Sequence, residues 1–65
     1  MKVRYDKEAD AMYIRVQEGE YEYSEEIGDG VVIDISKEGN VMGMEILDAS
    51  ERFSQNSFKK ILLNK

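Results

Sequence analysis

Gly28-Asp29-Gly30-Val31-Val32-Ile33-Asp34-Ile35-Ser36-Lys37-Glu38-Gly39-Asn40-Val41-Met42-Gly43-Met44-Glu45-Ile46-Leu47 is the stretch that decides the fold. Val31, Ile33 and Ile35 alternate with Val32, Asp34 and Ser36. Met42, Met44 and Ile46 alternate with Val41, Gly43, Glu45 and Leu47. A period of two places alternate side chains on opposite faces of a strand. Lys37-Glu38-Gly39-Asn40 reads as a type I turn with Gly39 in the left-handed position, which joins the two runs as a hairpin. Gly28-Asp29-Gly30 is a second turn signal on its N-terminal side.

Working back toward the N-terminus, residues 21–27 hold Tyr21, Tyr23 and Ile27 on one face. Glu25 lies among them, so this strand reads as weaker and at an edge. Gln17-Glu18-Gly19-Glu20 is a turn in which Gly19 is free to take a positive φ. Residues 11–16 put Met12, Ile14 and Val16 opposite Ala11, Tyr13 and Arg15, and residues 2–5 form a further short strand. The polar stretch between these two strands suits a turn.

Toward the C-terminus the period changes. Asp48-Ala49-Ser50 offers an N-cap, and Phe58, Ile61 and Leu62 sit at helical spacing with Lys59 and Lys60 outward. A helix is predicted over about 50–63, with Phe53 inward and a break or kink at Ser54-Gln55-Asn56-Ser57, a run poor in helix formers. The predicted class is α+β: a four- to five-stranded, mainly antiparallel β-meander with a C-terminal helix packed on one face. Residues 1–65 form a single small domain.

One sheet face collects Met12, Ile14, Val16, Val31, Ile33, Ile35, Met42, Met44 and Ile46. The other keeps Tyr13, Val32, Val41 and Leu47 beside Arg15, Asp34 and Glu45. A single helix covers one face only. A chain of 65 residues with no Cys and no His has neither a disulfide nor the usual zinc ligands to reinforce a small core. Self-association follows as an expectation, with Tyr13, Val32, Val41 and Leu47 as the candidate dimer face.

Charge is uneven. Residues 1–51 hold all 14 acids and five bases, a balance of −9, whereas residues 52–65 hold four bases (Arg52, Lys59, Lys60, Lys65) and no acid. Glu18, Glu20, Glu22, Glu25, Glu26 and Asp29 follow one another without a base between them. Such a run repels polyanions and attracts basic surfaces, which makes Glu18, Glu20, Glu22, Glu25 and Glu26 the candidate partner-binding residues. The basic tail is short and diluted by apolar residues, so nucleic acid is not the expected partner. No apolar run approaches the ~20 residues that span a bilayer. The first residues lack the apolar stretch of a signal peptide, so the expected location is cytoplasmic.

Chemistry is sparse. No histidine is present to activate Ser24, Ser36, Ser50, Ser54 or Ser57, and no thiol exists. Gly28-Asp29-Gly30 lacks the spacing and the following helix of a phosphate loop. Asp6, Glu8 and Asp10 imitate the opening of a calcium loop without its glycine and terminal glutamate. No catalytic, metal or cofactor residue is assigned, and no cofactor or enzymatic activity is expected.

Tyr5 to Ile14 (YDKEADAMYI), Glu26 to Ile35 (EIGDGVVIDI) and Gly39 to Ser50 (GNVMGMEILDAS) together resemble a widespread family of small prokaryotic proteins, domain-of-unknown-function family 2283. The resemblance covers residues 2–50. It implies a small β-rich domain with a C-terminal helix. Members are often encoded beside small toxin-like proteins and some are labelled antitoxins, so the resemblance also implies an antitoxin-like partner of a small basic toxin. It brings no catalytic residue. The motif positions have structural readings: Asp6 and Asp10 bond nearby turn amides, Asp48 and Ser50 start the helix, and Gly43 marks close approach of a backbone or an aromatic ring. The functional expectation is a protein-interaction domain; the alternative is a stand-alone homodimer without catalysis.

Overall fold

In a computed structural model, which describes residues 1–63, the alternating runs form five strands: β1 (Lys2–Asp6), β2 (Ala11–Arg15), β3 (Tyr21–Gly28), β4 (Val31–Ser36) and β5 (Val41–Leu47). Two short helices follow, α1 (Ala49–Arg52) and α2 (Gln55–Leu63). Lys65 of the basic tail lies outside the described residues. Every strand pairing is antiparallel, in the order β1-β2-β5-β4-β3. The sheet is thus two meanders, β1-β2 and β3-β4-β5, zipped together where β2 pairs with β5.

The link between the meanders crosses the end of the sheet. Val16 and Gln17 both donate their backbone N–H to the Met42 carbonyl (2.8 and 3.2 Å), and Lys37 N–H donates to the Glu20 carbonyl (2.9 Å). A Cβ at Gly19 would lie 3.2 Å from Ser36 Cβ and 3.3 Å from Met42 Cγ. Gly19 is therefore small because the loop lies close to the sheet end, and its φ is not positive. The glycines that do take positive φ are Gly30 (82°) and Gly39 (88°), both in hairpin turns.

Register turns the alternation into a core. The row Tyr5–Met12–Ile46–Val31 crosses four strands on one face, with Val3–Ile14–Met44–Ile33 beside it. Directly opposed residues share a face, so these two rows form an apolar floor. Phe53, Phe58, Ile61 and Leu62 cover its β1–β2–β5 part around the buried Met12, Ile46 and Ala49. Tyr5 and Phe58 meet edge to face at 5.1 Å and 84°. Val16, expected on this face, lies past the end of β2 and is 40% exposed.

The helix is in two pieces, and the break falls at Phe53-Ser54, reaching the first residue of the expected run. Phe53 has extended backbone (φ −122°, ψ 150°) and drops into the core. Ser54 Oγ accepts the N–H of Ser57 (3.1 Å), the geometry of a cap on α2.

Edge strand β3 is exposed at every position. Register shifts at Tyr21/Tyr23 and Glu26/Gly28 split its side chains between the faces. Tyr23 opposes Ile35 on the helix side, whereas Tyr21 opposes Ser36 on the other side. The expectation that Tyr21 and Tyr23 share a face does not hold, because the bulge between them reverses the alternation.

Candidate functional site

The face turned away from the helices is built from two further rows. One runs Lys2–Arg15–Gly43–Asp34–Ser24, the other Arg4–Tyr13–Glu45–Val32–Glu26, each crossing all five strands. Tyr13 reaches across β5 and donates from its hydroxyl to Asp34 Oδ2 (3.1 Å). Its ring needs Gly43 underneath. A Cβ there would stand 2.5 Å from Tyr13 Oη and 2.7 Å from the Ile14 carbonyl oxygen. Close approach of an aromatic ring was the expected role of Gly43, and the backbone of β2 is near as well. Burial first, then the bond to Asp34, raises the Tyr13 pKa above the ordinary phenol value.

Ser24 donates to Asp34 Oδ1 (2.7 Å), and Tyr21 Oη lies 2.7 Å from Ser24 Oγ. With the Ser24 proton directed at the carboxylate, Tyr21 is the donor to Ser24. The Arg4 guanidinium lies 5.9 Å from the Tyr13 ring centroid. A polar chain therefore spans the face from β1 to β3. The side chains at its two ends differ in sign: Lys2, Arg4 and Arg15 on β1–β2, and Glu45, Asp34 and Glu26 on β5–β4–β3. Lys2, Arg4, Tyr13 and Arg15 line one shallow groove with Val3.

Of the candidate dimer residues, Tyr13 and Val32 are half-buried neighbours of Glu45 in one row, and Leu47 (39% exposed) follows on β5. Val41 is 37% exposed and lies at the register shift where β4 and β5 part from strict pairing. The five candidate glutamates do not form one patch. Glu18 pairs with Arg15 and Glu20 with Lys37, both at 2.9 Å. Glu25 opposes Ile33 on the helix side and Glu26 opposes Val32 on the far side, while Glu22 lies at the bulge. Glu22, Glu25 and Glu26 line the β3 edge, and Glu26 Oε2 also accepts the Gly30 N–H (3.0 Å).

A second cluster joins the β1–β2 turn to the helices. Asp6 Oδ1 accepts the N–H groups of Glu8 and Ala9 (3.0 and 3.3 Å), closing the turn as expected. Asp10 acts at long range instead. Its Oδ1 takes the Tyr5 hydroxyl (2.6 Å) and the Ser50 N–H (3.0 Å), and its Oδ2 takes the Ser50 hydroxyl (2.7 Å). Asp10, and not Asp48, therefore caps α1: Asp48 is left-handed (φ 53°) and makes no side-chain cap bond. Sequence reasoning missed this because Asp10 and Ser50 are forty positions apart. Asp10, Asp48 and Glu51 bring carboxylate oxygens within 4.8 Å of one another, the donor set for a cation, but both Asp10 oxygens already serve the cap.

The bonds from Tyr5 and then Ser50 hold Asp10 below the usual carboxylate pKa. A lowered folded-state value contributes stability that is full above the unfolded pKa and lost as pH falls through the folded one. Replacing Asp10 by Asn is expected to lower the melting temperature at pH 7 by several degrees. The same change should flatten the acid limb of stability as pH falls below the ordinary carboxylate value. Thermal unfolding followed at a series of pH values reads both; an acid limb as steep as the parent's would assign it to other carboxylates.

Residues 2–50 match the family described as "Protein of unknown function (DUF2283)", and the chain belongs to it. The chain is also similar to a Methanosarcina mazei protein named "Putative hypoxanthine phosphoribosyltransferase", 38% identical over 53 residues. That alignment covers 82% of this chain but 42% of the relative, so the chain spans about two fifths of the relative's length. No solved structure matches the chain. Among the described residues no helix is long and apolar enough to cross a membrane.

Proposed function

We propose that this chain is a non-catalytic protein-interaction domain whose open sheet face and acidic β3 edge take up a basic protein surface. One observation carries the reading: the helices cover one sheet face only, leaving the opposite face and the whole of β3 without cover. An antiparallel sheet tolerates a wet face. This one, however, combines half-exposed Tyr13, Val32 and Leu47 with sorted charge, a mixture suited to protein contacts. The finer form of the proposal, a small basic toxin in the cytoplasm as partner, rests on the resemblance stated above and on the acidic edge.

The sequence also supports the non-catalytic part. It offers no histidine or thiol, and Ser24 is committed to Asp34. In this chain Gly28-Asp29-Gly30 joins two strands and is not followed by a helix whose N-terminus could cradle a phosphate.

Native mass spectrometry of the tagged protein captured from its host lysate tests the proposal. The expected species is a stoichiometric complex with a basic protein or with a second copy. Reversing Glu22, Glu25 and Glu26 to lysine should weaken a basic-partner complex at least tenfold. A bare monomer, or binding unchanged by the reversal, overturns the acidic-edge reading.

A further inference from the structure

We infer that the open face is an interface with a second copy of this chain, stacked face to face about a two-fold axis that runs along β5. This rests on the interaction reading above and names the partner. The argument comes from register. β5 is the middle strand of five, so a two-fold axis along it brings β1 over β3 and β2 over β4 of the second copy. Rotation about a strand-parallel axis keeps each cross-strand row over the same row of its mate, and aligned sheets stack about 10 Å apart.

The row Arg4–Tyr13–Glu45–Val32–Glu26 then sets Arg4 over Glu26 and Tyr13 over Val32, twice each by symmetry. The row Lys2–Arg15–Gly43–Asp34–Ser24 sets Arg15 over Asp34, again twice, and brings the two Tyr13 rings, each lying over its own Gly43, together at the axis. Tyr13 lies flat over Gly43, so no side chain of β5 stands up at that point. A two-fold axis perpendicular to the strands would instead stack β1 on β1 and β3 on β3, basic over basic and acidic over acidic. Charge complementarity therefore selects one axis. The cost of that choice is a Glu45–Glu45 encounter near the axis. Arg15 is paired with Glu18 in the single chain, with both side chains largely exposed, a pairing weak enough to exchange. Five strands present a face of roughly 24 by 17 Å, about 800 Å² over the two copies, which is below the ~1,200 Å² of standard stable interfaces and in the range of weak ones.

A charge swap tests the axis. Arg4→Glu and Glu26→Arg are made in separate chains, and sedimentation equilibrium follows each up to about 100 μM, the range set by a small interface. The wild type should dimerise, and each variant alone should weaken at least tenfold. A 1:1 mixture of the two should form a heterodimer, seen by native mass spectrometry, because both symmetry-related contacts are then complementary. Variants that still dimerise, or that fail to pair on mixing, overturn this geometry. A wild type that stays monomeric overturns self-association, while capture of a basic protein in the lysate experiment would leave the broader interaction reading standing. Glu26 also holds the Gly30 amide, so circular dichroism checks its fold. If Glu26→Arg unfolds, Glu45→Gln takes its place: relief of the like-charge encounter should tighten the dimer, and no tightening overturns the axis.

Discussion

Met12→Ala is expected to leave this chain largely unfolded at room temperature. Met12 is the largest fully buried side chain, with 0% exposure. It lies between Tyr5 and Ile46 in the row beneath the helices, at the centre of the cluster that includes Ala49 and Phe58. Truncating a buried methionine to alanine costs about 2–5 kcal/mol, because transfer energy is lost and a cavity remains. A core this small supplies rarely more than about 3–5 kcal/mol in total. One substitution therefore consumes most of the stability. Urea unfolding followed by circular dichroism should show no folded baseline for Met12→Ala. Met12→Leu, which conserves volume, should cost less than about 1.5 kcal/mol and keep the transition. An unchanged midpoint for the alanine variant would mean that the core is not organised around this residue.

Gly43→Ala should be the second most damaging change, for the opposite reason. The added methyl would stand 2.5 Å from the Tyr13 hydroxyl oxygen and 2.7 Å from the Ile14 carbonyl oxygen. The first atom belongs to a side chain that can swing away, at the loss of its bond to Asp34. The second belongs to the neighbouring strand and moves only if β2 and β5 separate. Overpacking of this kind costs about 1–3 kcal/mol, and about 4–8 °C of melting temperature per kcal/mol in a domain this size. The pairing with Tyr13 can be isolated. Tyr13→Phe removes the nearest oxygen but not the strand contact, so Gly43→Ala in that background should recover only part of the loss. Full recovery would show the clash to be with the side chain alone, and no loss at all would show that the strands yield freely.

Both effects bear on function. Met12 supports the floor under the helices, and Gly43 lets Tyr13 lie flat on the opposite face. The same strands that build the core thus set the shape of the open surface, and a change at either residue should be checked for folding before any loss of binding is read from it.

Much of the architecture is legible in single residues. The period of two in Val31–Ser36 and Val41–Leu47 marks β4 and β5. The glycine turns mark their ends, and the spacing of Phe58, Ile61 and Leu62 marks α2. Gly43 is legible too, because a glycine inside a strand with no turn to make implies a close neighbour. What was not legible depends on distant partners. The pairing of β2 with β5, the bulge that sends Tyr21 and Tyr23 to opposite faces, and the capping of α1 by Asp10 all join positions far apart in the chain.

The sequence by itself determined the elements, the apolar alternation, the excess of acid and the lack of histidine and cysteine, because propensity, periodicity and ionisable groups are local properties. Only the tertiary structure decided which residues share a row. Arg4 and Glu26 stand at opposite ends of one row because β5 pairs with β2 on one side and β4 on the other. That pairing is settled by burial of Met12, Ile14, Met44 and Ile46 on a common floor, since a slip of one residue between β2 and β5 would turn one strand's pair toward water.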